Sequence, residues 1–385
     1  MRLAVIFESS PFDRKGLFNA VHNRVKHLLA TGECTVDVFC VHSRDNAFTR
    51  SVRHTTVVPS VDQVTIDGIT YRLLWYRFSV LDNVLLEKLH VRPLLFRRFM
   101  SSHVELLKGY DAVIAHSFCG GLFALMAHKR FGVPYFVTWH GSDVHTHPWR
   151  VPVILEDTRA VMESAQCNFF VSKALLSVSD KITVKACKEV LYNGVSEDFV
   201  RFSSADCMAV RERYGLSAED KVVAFVGNLH AVKNVLALPA IFDEVSRRYG
   251  SPLKFWIIGD GKLRKPLETE LSQSAVRFFG NLPASDMPSI MNCIDVLVLP
   301  SLNEGLPLVC AEALSCGASV VGSDVGGIAE VIGKDNVVPL GDSFATGMAD
   351  KIVSILDGKT PSHTLPSAIS WSLTAAQELA ALKSL

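Results

Sequence analysis

The sequence lacks the features that mark several large classes of protein. Its nine cysteines are scattered and include no Cys-x-x-Cys pair, so a zinc site is not indicated. No window approaches the roughly 18 apolar residues that a membrane span needs, and the apolar run at residues 3–7 is too short for a signal peptide. We therefore expect free thiols in a reducing compartment, and a protein of the cytoplasm or of the cytosolic face of a membrane.

A net charge is also missing, because 39 Lys and Arg residues balance 39 Asp and Glu residues. The balance is uneven along the chain. Residues 1–195 carry 23 basic and 17 acidic side chains, a net charge of +6, whereas residues 196–385 carry 16 and 22, a net charge of −6. This asymmetry favours two domains with different partners, and chance drift between two surfaces is the alternative. We expect no nucleic acid partner.

The length of 385 residues and the hydrophobic content of 49% predict two globular domains. Short apolar runs alternate with helical patterns, which is typical of parallel sheets covered by helices on both sides. The predicted strands are 3–7, 36–41, 112–115, 135–138, 168–171, 222–226, 253–258, 276–279, 296–299 and 319–321.

The domain organisation follows from this alternation and from the turn at Asn193-Gly194. We expect two Rossmann-like, doubly wound α/β domains that face each other across a cleft, the first over 1–196 and the second over 197–370. A linker is predicted near 196–207. A final helix at about 371–385 is expected to pack back on the first domain.

The most informative segment is 303–313, with the sequence NEGLPLVCAEA after a predicted strand. Glu304 and Glu312 lie eight residues apart, and Pro307 suits the first position of a helix. Glu304 is then on the loop before the helix, and Glu312 is more than a turn inside it. Since N–H groups at a helix start bind anions or hydroxyls, the segment suits a sugar nucleotide. A solvated helix with an N-terminal glutamate is the alternative.

A second candidate segment directly follows the predicted strand 222–226. Gly227 ends the strand and Lys233 comes six residues later, which places an ammonium group where a phosphate binds in such folds. A surface turn with a solvated lysine is the alternative.

A third candidate is His140, in the segment TWHGSD at residues 138–143. It follows a predicted strand of the first domain and is expected to face the cleft. A structural histidine is one alternative. A metal cluster of His140 and Asp143 with His145 and His147 is another, although no carboxylate stands at a strict metal-ligand spacing.

Several glycines also follow predicted strands. Gly16 ends the loop after the first strand and would let the backbone approach a phosphate, although the loop is neither Gly-x-Gly-x-x-Gly nor a Walker loop. For Gly259-Asp260-Gly261 and for Gly326-Gly327 the favoured interpretation is a tight turn with close packing.

In their order along the chain these segments resemble the retaining glycosyltransferases of family 4, which have the GT-B fold. The resemblance spans about 1–335. The matching segments are 116–121, 138–143, 171–173, 192–195, 227–234, 259–261, 279–281, 304–312 and 324–327. The resemblance implies an enzyme of class EC 2.4 that transfers a sugar from a UDP- or GDP-sugar to a glycan or polyprenyl-linked acceptor. It further implies retention of anomeric configuration and a role in cell-surface polysaccharide synthesis, such as capsule, O-antigen or exopolysaccharide.

The resemblance also implies roles for particular residues. Glu312 would bind the ribose hydroxyls, and Glu304 would hydrogen-bond the donor sugar. Lys233 would bind the donor diphosphate, and His140 would lie beside the donor sugar. The remaining donor-binding positions are Gly16, Asn228 and the backbone groups of Gly305, Leu306 and Leu308.

One position departs from the family pattern. Asn228 stands where the family usually has an arginine that helps to bind the diphosphate, and Lys262 and Arg264 are candidate substitutes by position. Because the chain has no Asp-x-Asp triplet to hold a metal on a diphosphate, we expect no metal and no cofactor. The alternative functions are a related sugar-nucleotide epimerase and a non-catalytic nucleotide- or glycan-binding module.

The region 72–108 carries seven basic and three acidic residues, a net charge of +4. An amphipathic helix is predicted over 93–107, with Arg97 and Arg98 beside apolar residues. Docking on an anionic membrane is the functional interpretation, and an ordinary helix with a basic outer face is the alternative.

Overall fold

The computed structural model describes residues 1–12, 16–44, 58–77, 80–250, 252–272, 275–359 and 363–385. These residues form two compact units, one of residues 1–193 with 371–385 and one of residues 194–370. Within the described ranges, no helix has both the length and the apolar character needed to cross a bilayer.

The first unit is built on an eight-stranded sheet with the order β3-β4-β2-β1-β5-β6-β7-β8. All neighbouring strands are parallel except β3 and β4. Its strands are β1 (Arg2–Glu8), β2 (Thr35–Ser43), β3 (Gln63–Ile66), β4 (Ile69–Tyr76), β5 (Ala112–His116), β6 (Tyr135–Trp139), β7 (Cys167–Phe170) and β8 (Lys188–Val190). Its helices up to residue 193 are α1 (Gly16–Ala30), α2 (Val80–Leu89), α3 (Leu94–His103), α4 (Ser117–Phe131), α5 (Ser142–His145), α6 (His147–Arg150), α7 (Pro152–Ser164) and α8 (Lys173–Ser179).

The second unit has a six-stranded parallel sheet with the order β11-β10-β9-β12-β13-β14. Its strands are β9 (Lys221–Val226), β10 (Leu253–Ile258), β11 (Val276–Gly280), β12 (Val296–Leu299), β13 (Ser319–Ser323) and β14 (Val337–Val338). Its helices are α9 (Ser204–Arg213), α10 (Leu238–Arg248), α11 (Arg264–Glu270), α12 (Met287–Met291), α13 (Leu308–Ser315), α14 (Ile328–Ile332) and α15 (Phe344–Leu356).

The ten strands predicted from apolar runs are confirmed. The central strands are buried along almost their whole length, because helices cover both faces of each sheet. The strands that the sequence did not reveal are β3, β4, β8 and β14. They lie at or beside sheet edges; β4 alternates buried and exposed residues and β8 is polar, so neither forms a continuous apolar run. The predicted linker 196–207 is wrong at its end, since α9 begins at Ser204.

The last helix of the first unit is α16 (Trp371–Lys383), which packs against α1. Its apolar residues Ala375, Leu379 and Leu382 belong to the hydrophobic core of that unit. The apolar face of α16 therefore attaches this helix to the first unit. Burial of such a face stabilises the folded state by about 25 cal/mol for each Å² of apolar surface removed from water.

A buried ion pair also joins α16 to α1. The Arg24 Nε atom lies 3.1 Å from Glu378 Oε2, and both side chains are almost completely buried. Arg24 also donates a hydrogen bond from Nη1 to Thr138 Oγ1 on β6, at 2.8 Å. Burial lowers the pKa of Arg24 and raises the pKa of Glu378, because each charge has lost its water. Either charge alone would be strongly unfavourable at this depth.

We expect Glu378→Ala to lower the free energy of unfolding by about 3–5 kcal/mol, because it leaves the Arg24 charge buried without its partner. The measurement is urea unfolding followed by circular dichroism. Lys383→Ala is the matched control on the same helix. Lys383 pairs with Glu33 at the surface, so its removal should cost less than about 1 kcal/mol. Equal losses of unfolding free energy for Glu378→Ala and Lys383→Ala would contradict the stabilising role of the Arg24–Glu378 pair.

Candidate active site

Lys233 and Glu304 are brought together by two neighbouring parallel strands. Lys233 lies on the loop after β9 and Glu304 on the loop after β12, and a hydrogen bond from Leu302 N–H to Val232 O at 2.8 Å joins the loops. Lys233 Nζ is 2.5 Å from Glu304 Oε1, and the pair is largely buried. Ser301 Oγ donates to the same carboxylate oxygen at 2.7 Å. Two donors therefore hold the Oε1 atom of the Glu304 carboxylate.

Two glycines allow the close packing of these loops. A Cβ atom on Gly326 would lie 1.9 Å from the carbonyl oxygen of Glu304, and its φ of +53° also favours glycine. Gly327 N–H donates to Gly305 O at 3.1 Å. A Cβ on Gly259 would lie 2.1 Å from the carbonyl oxygen of Gly227. The prediction of tight turns with close packing is confirmed for these segments.

The helix that follows Glu304 begins one residue later than predicted. Leu308 is the first residue of α13, and Pro307 precedes it with φ −77° and ψ 97°. Pro307 therefore caps the helix instead of occupying its first position.

The backbone between Glu304 and α13 offers a set of hydrogen-bond donors. In the described part of the chain these N–H groups, which belong to Gly305, Leu306, Leu308 and Val309, donate no hydrogen bond to a protein acceptor. Buried or partly buried N–H groups without acceptors are costly in a folded protein. Their concentration at a helix start indicates a site for an anion or for hydroxyl oxygens.

Glu312 lies one turn inside α13, as its position in the sequence predicted. Burial raises the pKa of its carboxyl group to about 7. Among the described residues no side chain or backbone group donates a hydrogen bond to it. Its carboxylate therefore has no donor from the protein, and two vicinal hydroxyl groups of a ligand would be complementary to it.

Asn228, which stands in place of the family's arginine, is exposed on the loop after β9 and brings no charge there. Arg264 is held by two carboxylates, with Nη1 3.1 Å from Asp260 Oδ2 and Nε 2.8 Å from Glu268 Oε1. Arg264 is therefore a poor substitute. Lys262 is exposed and has no described partner, so it remains available as a second cation.

His140 belongs to the first unit, where it follows β6. Its Nε2 atom is 3.1 Å from Nδ1 of His116, at the end of β5. Burial, followed by the nearby Arg24 charge, lowers the pKa of His140 to about 3. Burial also lowers the pKa of His116. Both rings are neutral at pH 7, so His140 can act there as a hydrogen-bonding group and not as an imidazolium acid.

The loop that carries His140 is fixed by Asp143. The Asp143 carboxylate accepts hydrogen bonds from the N–H groups of His140 at 3.1 Å and of Gly141 at 2.7 Å. The side chain is thus occupied by its own loop. Within the described ranges, the one group of three potential metal ligands is Cys167, Cys187 and Glu189, on and beside β7 and β8. The histidines and Asp143 form no such group.

The second unit therefore assembles most of the predicted donor-binding positions at the carboxyl ends of β9 and β12. They are Asn228, Lys233, Glu304, Gly305, Leu306, Leu308 and Glu312. His140 and Gly16 lie in the first unit, and Gly16 is the exposed first residue of α1. Ser301, which hydrogen-bonds Glu304, was missed by the sequence analysis, although its place just after β12 was a usable signal.

Two family models match the chain. "Glycosyl transferase 4-like domain" matches residues 16–179, and "Glycosyl transferases group 1" matches residues 220–358. Together these matches cover both units.

Two curated proteins illustrate the sequence similarity. The chain is 27% identical over 267 residues to a Bacillus subtilis protein provisionally named the teichuronic acid biosynthesis glycosyltransferase TuaC, with 66% of this chain and 65% of that protein covered. It is 26% identical over 217 residues to O-antigen chain mannosyltransferase B of Escherichia coli, with 52% and 56% covered. The matched part is less than two thirds of the length of these relatives.

The fold is shared with solved structures. Alr3699/HepE of Anabaena, solved in complex with UDP, superposes with a TM-score of 0.74 at 17% identity and covers all of both chains. Sucrose-phosphate synthase from Thermosynechococcus elongatus gives a TM-score of 0.75 at 18% identity, covering 100% of this chain and 98% of that one. These similarities show the fold, which is GT-B.

The raised pKa of Glu312 predicts a pH-dependent effect of its substitution. Between about pH 4.5 and pH 7 the folded protein holds a proton that the unfolded chain releases, so stability falls as the pH rises through this window. Glutamine has a similar shape and no charge to bury. Glu312→Gln should therefore stabilise the free protein at pH 8, by on the order of 2 kcal/mol, and change it little at pH 5.

The measurement is thermal unfolding of both proteins at the two pH values. Glu219, an exposed carboxylate of the same unit, gives the control substitution Glu219→Gln, which should show no such pH-dependent gain. If Glu312→Gln is no more stable than the wild type at pH 8, the claim that burial of the ionised Glu312 carboxylate destabilises the protein is wrong.

Proposed function

Since this chain belongs to the group 1 glycosyltransferases of family 4, we propose that it transfers a sugar from a nucleotide-sugar donor with retention and without a metal. The acceptor is a glycan or a lipid-linked glycan of a cell-surface polysaccharide. Support for this pathway comes from the similarity to proteins named for teichuronic acid and O-antigen synthesis. Support for a UDP-type donor comes from the UDP that Alr3699/HepE binds.

The observation that carries the proposal is the set of unsatisfied groups around the Lys233–Glu304 pair. Four backbone N–H groups lack acceptors within the described ranges, and Glu312 lacks donors there. A nucleotide sugar offers the complementary groups, because its diphosphate accepts hydrogen bonds and its ribose hydroxyls donate them. The Lys233 ammonium, held by Glu304 in the free protein, would be shared with the arriving diphosphate.

The proposed reaction breaks the bond between the anomeric carbon and a diphosphate oxygen. The electron pair leaves with the diphosphate, the acceptor hydroxyl oxygen bonds to the same face of the carbon, and its proton passes to a diphosphate oxygen. Lys233 and the N–H groups before and at the start of α13 stabilise the developing negative charge. Glu304 orients the sugar and is not a nucleophile in this scheme.

We expect Glu304→Gln to lower kcat at least tenfold, because the neutral amide no longer anchors Lys233 and accepts weaker hydrogen bonds from the sugar. Glu312→Ala should mainly raise the KM for the donor. Both are measured as nucleotide release with an acceptor, using the UDP- or GDP-sugar that gives the largest thermal shift. A ligand at a hundred times its Kd stabilises by roughly 2.7 kcal/mol, which such a screen detects.

The same assay tests the alternatives. Full activity in excess EDTA supports the metal-independent mechanism, and loss of activity that Mn²⁺ or Mg²⁺ restores overturns it. Nucleotide release without an acceptor product favours an epimerase. Donor binding without turnover favours a non-catalytic module. Near-wild-type kinetics for both glutamate variants would remove the site assignment.

We also propose that the protein attaches peripherally to the cytosolic face of an anionic membrane through α2 and α3. These helices expose several large apolar side chains, with Leu81, Leu89 and Leu94 each more than 60% exposed. Arg97 and Arg98 stand exposed among them on α3. Apolar side chains that insert and cations that meet lipid phosphates are the two components of interfacial binding.

We expect the wild type to co-sediment with vesicles that contain anionic lipid, and less with neutral vesicles or at high salt. Leu81→Ser with Leu94→Ser should lower the bound fraction several-fold. Leu373→Ser, which removes an exposed leucine from α16, is the control and should leave binding unchanged. Binding that ignores anionic lipid would favour the ordinary helix with a basic outer face.

A further inference from the structure

The first unit contains a cavity of about 790 Å³ that the donor chemistry does not use. It lies between α2, α3, α4, α6 and α7, beside the end of β1. Its size is within the range of about 300–1,000 Å³ that is usual for small-molecule sites. All of its lining residues belong to this unit.

One part of the cavity lining, which we call the apolar wall, consists of apolar side chains. It is formed by the side chains of Phe96, Met100, Phe118, Leu122, Met126 and Ile154. The two methionines are unbranched thioethers, which adapt to the shape of flexible hydrocarbon chains. Apolar side chains of this kind suit an alkyl or isoprenoid chain better than a sugar ring.

The rest of the lining is rich in cations. Six Lys and Arg side chains face four Asp and Glu side chains. Two of the cations are occupied, since Arg92 pairs with Asp157 and Glu156, and Arg130 pairs with Glu105. The others are exposed and have no carboxylate partner in the described part of the chain; they are Arg77, Arg97, Lys129 and Arg150.

The acidic side chains of the lining are mostly engaged. Glu8 accepts a hydrogen bond from Tyr76 Oη at 2.8 Å. Asp82 accepts from the N–H groups of Leu95 at 2.9 Å and Phe96 at 3.3 Å, which caps the start of α3. With Asp157 paired to Arg92, Glu87 is the one acidic group left without a described partner. The free polar groups are therefore mainly donors with positive charge.

Because of helical periodicity, α2 and α3 each have one face that lines the cavity and another that is exposed to solvent. On α3, the residues Phe96, Arg97 and Met100 follow an i, i+1, i+4 spacing that faces the cavity, whereas Leu94, Leu95 and Arg98 are exposed and outside its lining. The same division holds on α2, where Leu86 lines the cavity and Leu81 is exposed. The cavity therefore lies directly behind the apolar outer face of these helices.

We infer that this cavity binds the lipid phosphate of a membrane-derived acceptor, with the hydrocarbon chain on the apolar wall and the phosphate against the free cations. Arginine binds phosphate through paired N–H donors, and Arg97 and Lys129 line the cavity from different helices, α3 and α4. A neutral glycan alone would leave these cations and the apolar wall unmatched. The inference rests on the proposed transferase function and names the acceptor class.

The test is calorimetric titration with dodecyl phosphate below its micelle concentration, compared with dodecanol, inorganic phosphate and dodecyl maltoside. Dodecyl phosphate should bind at least tenfold more tightly than the other three. Arg97→Ala with Lys129→Ala should reduce this affinity at least tenfold. Arg98→Ala, which removes an exposed cation of the same helix outside the cavity, should not change it.

A second variant tests the apolar wall. Met126→Trp fills the cavity and should weaken both dodecyl phosphate and dodecanol, while thermal unfolding and donor binding confirm that the protein remains folded. Equal affinity for the phosphate and the alcohol, an equal loss in Arg98→Ala, preference for the maltoside, or binding to anionic vesicles without binding of the monomer would each overturn the inference.

The outcome is separable from that of the proposed function, because neither titration needs turnover. Titration of the same proteins with the nucleotide sugar supplies the comparison. If the donor binds and dodecyl phosphate does not, the acceptor assignment fails and the transferase proposal stands. If dodecyl phosphate binds and no donor binds or turns over, the transferase proposal fails.

Discussion

Parallel pairing of β9 with β12 is the constraint on which the candidate donor site depends. Because both strands run in the same direction, the loops that follow them leave the sheet at one edge. Lys233 and Glu304 are 71 positions apart in the sequence, yet their charged atoms are in contact. The glycines at 326 and 259 extend this arrangement, since any larger residue would push the neighbouring loops away from the sheet edge.

Most of the strands and the location of the candidate donor site could be predicted from the sequence. Central strands are continuous apolar runs, and the segment around Glu304 combines a strand end, a glycine, a proline and two carboxylates at a defined spacing. Strands at or beside a sheet edge, such as β8 and β4, lack that signal, because only one face or neither is buried. The Lys233–Glu304 contact, the role of Ser301 and the engagement of Arg264 depend on side-chain geometry that no local pattern encodes. The assigned ligand roles stay predictions.

Buried charged and polar groups are paired differently in the two units. Around Arg24 the folded chain supplies the opposite charge itself, so the ion pair serves structure. Around Glu312 and the N–H groups at the start of α13, the described residues supply neither donors for the carboxylate nor acceptors for the N–H groups. The desolvation cost of Arg24 is offset by another side chain of the protein, which is typical of a structural ion pair. At Glu312 and the start of α13 that cost is left for a ligand to offset, which is typical of a binding site.

The return of α16 to the first unit has a consequence for how the chain folds during synthesis. Domains emerging from a ribosome ordinarily fold in the order of their translation. Here residues 194–370 are made before the helix that supplies Glu378, so Arg24 must wait for its partner until the whole second unit has emerged. The unit translated first is thus completed last, and its sheet spends that interval with the α16 side of its core uncovered. Chaperones that shield apolar surfaces would therefore act on the first unit, and for as long as translation of the second requires.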